Sequence, residues 1–175
     1  GSNGTASAGA TQQLLSLVNP SGTAGAAARL WLSGTNATTR GAYIEAEAQS
    51  TANNHDLIFA TSASSAAPLE RMRITGGTLL VGKTISNSGT VGVEARSTGR
   101  LFATADGAYA AKFERLSSDG TLIQLTKDGT SVGSIGTDIG DLTVGSGDVG
   151  LRFSNDDSIR PWNLGTNSVR DNGIN

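Results

Sequence analysis

Apolar residues in this chain never run long. They come in short, often alternating stretches that a turn residue interrupts about every ten positions, the spacing of short antiparallel strands. The stretches fall at 13–18, 29–32, 43–48, 56–60, 70–75 and 78–81. A second series follows at 90–95, 100–104, 110–116, 122–127, 131–135, 142–144 and 149–153. Helical periodicity is hard to find, and the one Ala-rich run, 24–29, is too short to hold a helix alone. The pattern predicts an all-β chain with little or no helix.

The turn chemistry is explicit. Asp106-Gly107, Asp119-Gly120 and Asp128-Gly129 place Asp-Gly beside apolar runs, where Gly accepts positive φ and Asp bonds the backbone. On that basis 110–136 reads as a three-stranded meander. Glycines then recur at 133, 136, 140, 145, 147 and 150, a density suited to close backbone approach. The expected organisation is a linker over 1–10, a β-rich block over 11–84, a second linker over 85–89 and a Gly-rich meander block over 90–153. An irregular tail, 154–175, would lead to a missing C-terminal part.

Composition then limits how such strands can be buried. Leu, Ile, Val and Phe make up about a fifth of the 175 residues, near the level where globular cores fail. A net charge of −2 does not hold the chain open by self-repulsion. A thin rod sharing its core among identical chains fits better than a thick monomeric core, so the expectation is an elongated homotrimer with a shared or intertwined core. The 13 basic and 15 acidic residues are scattered singly, which argues against a nucleic-acid surface. Cysteine is absent, so disulfides and thiolate metal sites are excluded. No apolar run approaches the ~18–20 residues of a spanning helix, and no membrane insertion is expected.

Several residues invite a chemical reading. Gly77-Thr78-Leu79-Leu80-Val81-Gly82-Lys83-Thr84 satisfies G-x-x-x-x-G-K-T, but its variable positions are strand-forming and no helix follows to hold a phosphate. It reads as a strand ended by a turn. Gly145-Ser146-Gly147-Asp148-Val149-Gly150 matches G-x-G-x-x-G and likewise lacks its helix. His55 is the only histidine; it reads as an ordinary strand-edge residue, against an axial ion site in a trimer or a catalytic part. The pairs Glu45/Glu47 and Asp156/Asp157 have the residue type of glycoside-cleaving carboxylates. They read as solvated or salt-bridged, because sugar sites also want aromatic platforms. Glu70, Arg71 and Arg73 read as charge pairs between neighbouring chains. Trp31 alternates with aliphatics as a core residue would, and Trp162, after Pro161, is the candidate host contact, against packing over the end of the rod. No catalytic residue, metal ligand or cofactor is expected.

At particular residues the chain resembles a known class. Tyr43-Ile44-Glu45-Ala46, His55-Asp56-Leu57-Ile58-Phe59, Glu70-Arg71-Met72-Arg73-Ile74 and Leu80-Val81-Gly82-Lys83-Thr84 occur in an order similar to tail-fibre proteins of tailed phages, notably marine ones. Ala111-Lys112-Phe113-Glu114-Arg115-Leu116 through Gly133-Ser134-Ile135-Gly136 resembles a companion block. Gly150-Leu151-Arg152-Phe153 with Asp171-Asn172-Gly173-Ile174 does the same. In that family such blocks commonly precede an endosialidase-type intramolecular chaperone, whose own motifs are missing here. The resemblance implies a non-catalytic virion component: a trimeric β-rod of a tail or side fibre that spaces or presents a host-binding surface. Its implied partners are itself, other tail or fibre proteins, and a host surface glycan or protein. A polysaccharide-degrading tailspike fragment and a trimeric bacterial adhesin passenger are the alternatives.

Overall fold

The computed structural model describes residues 15–36, 38–49, 54–64 and 66–170. Every regular element among them is a β-strand. The chain divides into two compact units between Ala110 and Ala111. The first is a seven-stranded sheet of β1 (Ala27–Leu32), β2 (Ala42–Ala48), β3 (His55–Thr61), β4 (Leu69–Thr75), β5 (Thr78–Val81), β6 (Gly92–Ala95) and β7 (Leu101–Thr104). The second contains β8 (Gly120–Lys127), β9 (Thr130–Asp138), β10 (Asp141–Ser146), β11 (Val149–Ser154), β12 (Ser158–Asn163) and β13 (Ser168–Val169). Both are antiparallel meanders in which strand order follows chain order.

Local sequence accounts for the connections. Thr75 pairs with Thr78 around Gly76 (φ 53°) and Gly77 (φ 78°). Lys127 pairs with Thr130 around Asp128 (φ 51°) and Gly129 (φ 78°). Both are two-residue loops with two left-handed residues, the mirror-type turn whose twist matches that of the flanking strands. The β9–β10 loop has the same form but places Ile139 at φ 51° before Gly140. A β-branched residue resists that conformation. Asp119 holds it there, its carboxylate accepting from Ile139 N at 2.8 Å and Gly140 N at 3.3 Å.

Four expectations need correction. Residues 110–116 form no strand, so the meander begins at Gly120; Gly120 has the expected positive φ of 140° but opens β8 rather than turning a hairpin. The tail is not irregular, because Ser158–Asn163 pairs with β11 and Ser168–Val169 with β12. Residues 85–89 divide no blocks: they form the loop between β5 and β6, which pair directly through Leu80 and Glu94. The stretch 13–18 forms no strand over 15–18, while Gln13 and Leu14, the 1–10 linker and the motif at 171–174 lie outside the described residues.

Candidate functional site: two sheets with opposite faces

Side chains alternate across a strand, so the register assigns every residue of a sheet to one of two faces. In the first sheet one cross-strand row reads Arg29, Glu45, Ile58, Arg73, Leu80, Glu94, Phe102. The rows on the opposite face read Leu30, Ile44, Phe59, Met72, Val81, Val93, Ala103 and Ala28, Ala46, Leu57, Ile74, Leu79, Ala95, Leu101. One face carries the charges; the other is apolar across all seven strands.

Burial runs opposite to the usual rule. Glu94 and Leu80 are fully buried, and Glu45, Asp56 and Lys83 are nearly so. On the apolar face Ile44 and Leu57 are 37% exposed, Val81 41% and Leu101 72%. An antiparallel sheet with one covered face normally buries its apolar side. Here the more deeply covered side is the charged one, closed by its own long side chains and by Ser86 and Asn87 of the β5–β6 loop. On the apolar side Leu17 and Val18 lie near Ala28 and Ala46 at one edge.

These side chains form three linked groups. Arg29 pairs with Glu45 at 2.5 Å and lies 3.7 Å above the Tyr43 ring, which stacks on Trp31 at 6.3 Å. The bond to Glu45 raises the Arg29 pKa against the opposing effect of burial. Arg73 binds Glu70 at 2.8 Å, Glu47 at 3.1 Å and Asp56. Hydrogen bonding to Glu70 is the largest effect holding this guanidinium charged, with Asp56 adding to it against burial. Glu94 accepts from Arg96, Ser86 and, at 3.0 Å, Lys83 Nζ. The Arg96 and Ser86 bonds, with Lys83 beside them, lower its pKa to about 2 against the opposing effect of burial.

The second sheet repeats the arrangement. Ile123, Ile135, Val144, Leu151 and Pro161 form one row, and Thr137, Leu142, Phe153 and Ile159 its neighbour on the same face. Leu142 is 44% exposed and Ile159 63%. The opposite face buries Asp138, Asp141, Thr143, Arg152 and Trp162. Arg152 binds Asp141 at 2.8 Å and approaches Asp138 at 3.6 Å, with its guanidinium 4.6 Å over the Trp162 ring. Burial pushes the Asp141 pKa up, but hydrogen bonds from Ser154 and Arg152 outweigh it, so the carboxyl titrates below its ordinary range. Leu164 covers Gly145 and Gly150 on this side; a Cβ on Gly145 would come within 2.6 Å of it.

The residues singled out from sequence are now placed. Thr78–Val81 is the strand expected within the G-x-x-x-x-G-K-T match, and Lys83 points into the Glu94 cluster, bonding the Asn87 carbonyl as well. Glu45 and Glu47 are taken up by different arginines, and Asp156 by Arg160 and Ser158. His55 is exposed at the start of β3. Trp31 is half-buried. Arg73 makes ion pairs with Glu47, Asp56 and Glu70 of its own chain, and Arg71 bonds Thr61 at 3.2 Å. Of the two readings of Trp162, the packed one fits: the ring is only 4% exposed, with the Arg152 guanidinium over it, and is no exposed contact on this chain. Among the described residues no three His, Cys, Asp or Glu side chains are grouped to hold a metal ion. The alternation that reveals an apolar face was present in the sequence; nothing in it told which face the chain itself covers.

The chain matches no family model, no curated protein and no solved structure.

Proposed function

We propose that this chain is a non-catalytic segment of an elongated homotrimeric fibre, of the kind phages use as tail or side fibres, that spaces or presents a host-binding surface. The observation that carries the reading is the inverted alternation of both sheets: charges sealed within the chain, apolar rows left open. Taking roughly 150–200 Å² for a large apolar side chain, the open face of the first sheet exposes on the order of 600 Å². That is at the top of what a monomer tolerates and near the ~800 Å² per partner of a stable interface.

Strand length favours three copies. Sheets pack at about 10 Å, so each stands about 5 Å from a shared axis. In a triangular prism, that distance requires an edge of roughly 17 Å, about five residues at ~3.3 Å each. The strands of the first sheet run from four to seven residues. Three apolar faces then fill the prism, and the charged faces form its outside. Function follows from geometry: three equivalent copies multiply weak contacts with a host surface.

Sedimentation tests this directly. The expected mass is three times 17.7 kDa with an elongated frictional ratio. Val81 and Val93 pair on the open face, and replacing both by Asp should yield monomers that keep their β-sheet circular dichroism and bind host cells far more weakly. A stable, compact wild-type monomer would overturn the proposal, and a dimer would replace the prism by a sandwich.

A further inference from the structure

Residues 109–115 look like a strand that lacks a neighbour. Tyr109, Ala111 and Phe113 alternate with Lys112 and Glu114. After a bend at Ala110, residues 111–116 belong to no regular element, and Lys112 Nζ reaches Glu114 two positions on at 2.6 Å, as same-side neighbours on a strand can. Yet Tyr109 is 77% exposed, Phe113 60% and Leu116 77%. Among the described residues, no backbone–backbone hydrogen bond outside the strands involves 105–119.

Within the same stretch of chain lies an edge of matching length. The eight-residue β8 pairs with β9 alone, which leaves the other side of its backbone open for an added strand. The other sheet edges suit the segment less well. β7 has four residues and β13 two, and β1 already has its Ala27 carbonyl bonded by Asn19.

The segment is steered away from its own β8. Asp119, one residue before that strand, is bonded to the β9–β10 turn through Ile139 N and Gly140 N. That turn lies on the opposite side of β8 from the open edge, because β9 and β10 follow β8 in that direction. The Arg115 guanidinium also stands 3.1 Å from where a Gly120 Cβ would be, which puts this side chain at the N-terminal end of β8.

We propose that the segment from Tyr109 to Arg115 adds as a strand to the open edge of β8 in a neighbouring copy of this chain. The inference rests on the homotrimer reading and says how its copies interlock. Tyr109 and Phe113 then extend the apolar face that contains Ile123 and Leu125, and Lys112 and Glu114 join the charged one.

Cysteine-free chains permit a clean test. Two differently tagged full-length variants, Phe113→Cys and Leu125→Cys, are co-assembled and oxidised, with Ile123→Cys as a second partner position to allow for register. The expected result is a disulfide-linked heterodimer carrying both tags, together with slow amide exchange over 109–115 in the assembled protein. A single chain carrying both cysteines that closes only on itself would show that the segment pairs with its own β8, overturning the exchange. A sedimentation trimer with neither cross-link nor exchange protection would overturn the strand addition and leave the trimer standing. A sedimentation monomer would overturn both.

Discussion

Individual residues carry the burden of making a charged face behave as an interior. Glu94 is fully buried, and three donors reach its carboxylate. Its pKa falls from 4.5 to about 2 on folding, so the stability it contributes is complete above about 4.5 and drains away as pH drops toward 2. Melting temperature should therefore decline across that window. Glu94→Gln should melt lower at neutral pH and show a shallower acid decline, the remainder belonging to Asp141, Asp119 and Asp156, whose pKa values are also lowered. Differential scanning calorimetry from pH 2 to 7 checks both. Ile139 presents the reverse case, a residue placed against its own preference at φ 51°. Ile139→Asn should raise stability by about 1 kcal/mol, since the left-handed region costs an ordinary L-residue roughly 1–2 kcal/mol and Asn less. Chemical denaturation measures the gain.

At the level of elements, the strands that sequence revealed were those with clean alternation or a bounded apolar run, and the failures are instructive. β3 was legible as a short apolar run, Leu57 to Ala60, bounded by polar residues. β10 was legible because Leu142 and Val144 alternate with Asp141 and Thr143, and β2 because Glu45 and Glu47 alternate with Ile44 and Ala46. The stretch 110–116 shows the same period and forms no strand, because alternation prescribes two faces but supplies no partner. β12 was missed because Arg160-Pro161 reads as a break. The structure accommodates that proline beside a two-residue edge strand, with its carbonyl accepting from Arg170 N at 3.2 Å. The candidate site was half legible: apolar and charged rows could be counted, whereas Lys83–Glu94 and Arg152–Asp141 join residues eleven positions apart and need the register to be seen. The Asp128-Gly129 loop was read correctly, and it gives a test at this scale. Gly129→Val puts a β-branched side chain at φ 78°, which should cost about 1–3 kcal/mol and lower the melting temperature without changing the assembly's mass.

For the whole molecule, if the apolar rows are covered by other copies as proposed, folding and association become one event. The melting temperature should then rise with protein concentration, by mass action, and a dilution series in the calorimeter would show a monomer-like flat response if the faces are satisfied within the chain. Each meander grows by simple repetition, every strand adding about 4.8 Å and continuing the same two faces. Because the rows of the first sheet are apolar across all seven strands, no single step along them is privileged. Lengthening or shortening a sheet by one hairpin would preserve both faces and shift everything beyond it by roughly 10 Å. In evolutionary terms, the reach of such a segment is adjustable in whole-hairpin insertions and deletions, while a change of one residue within a strand would exchange its faces and be selected against.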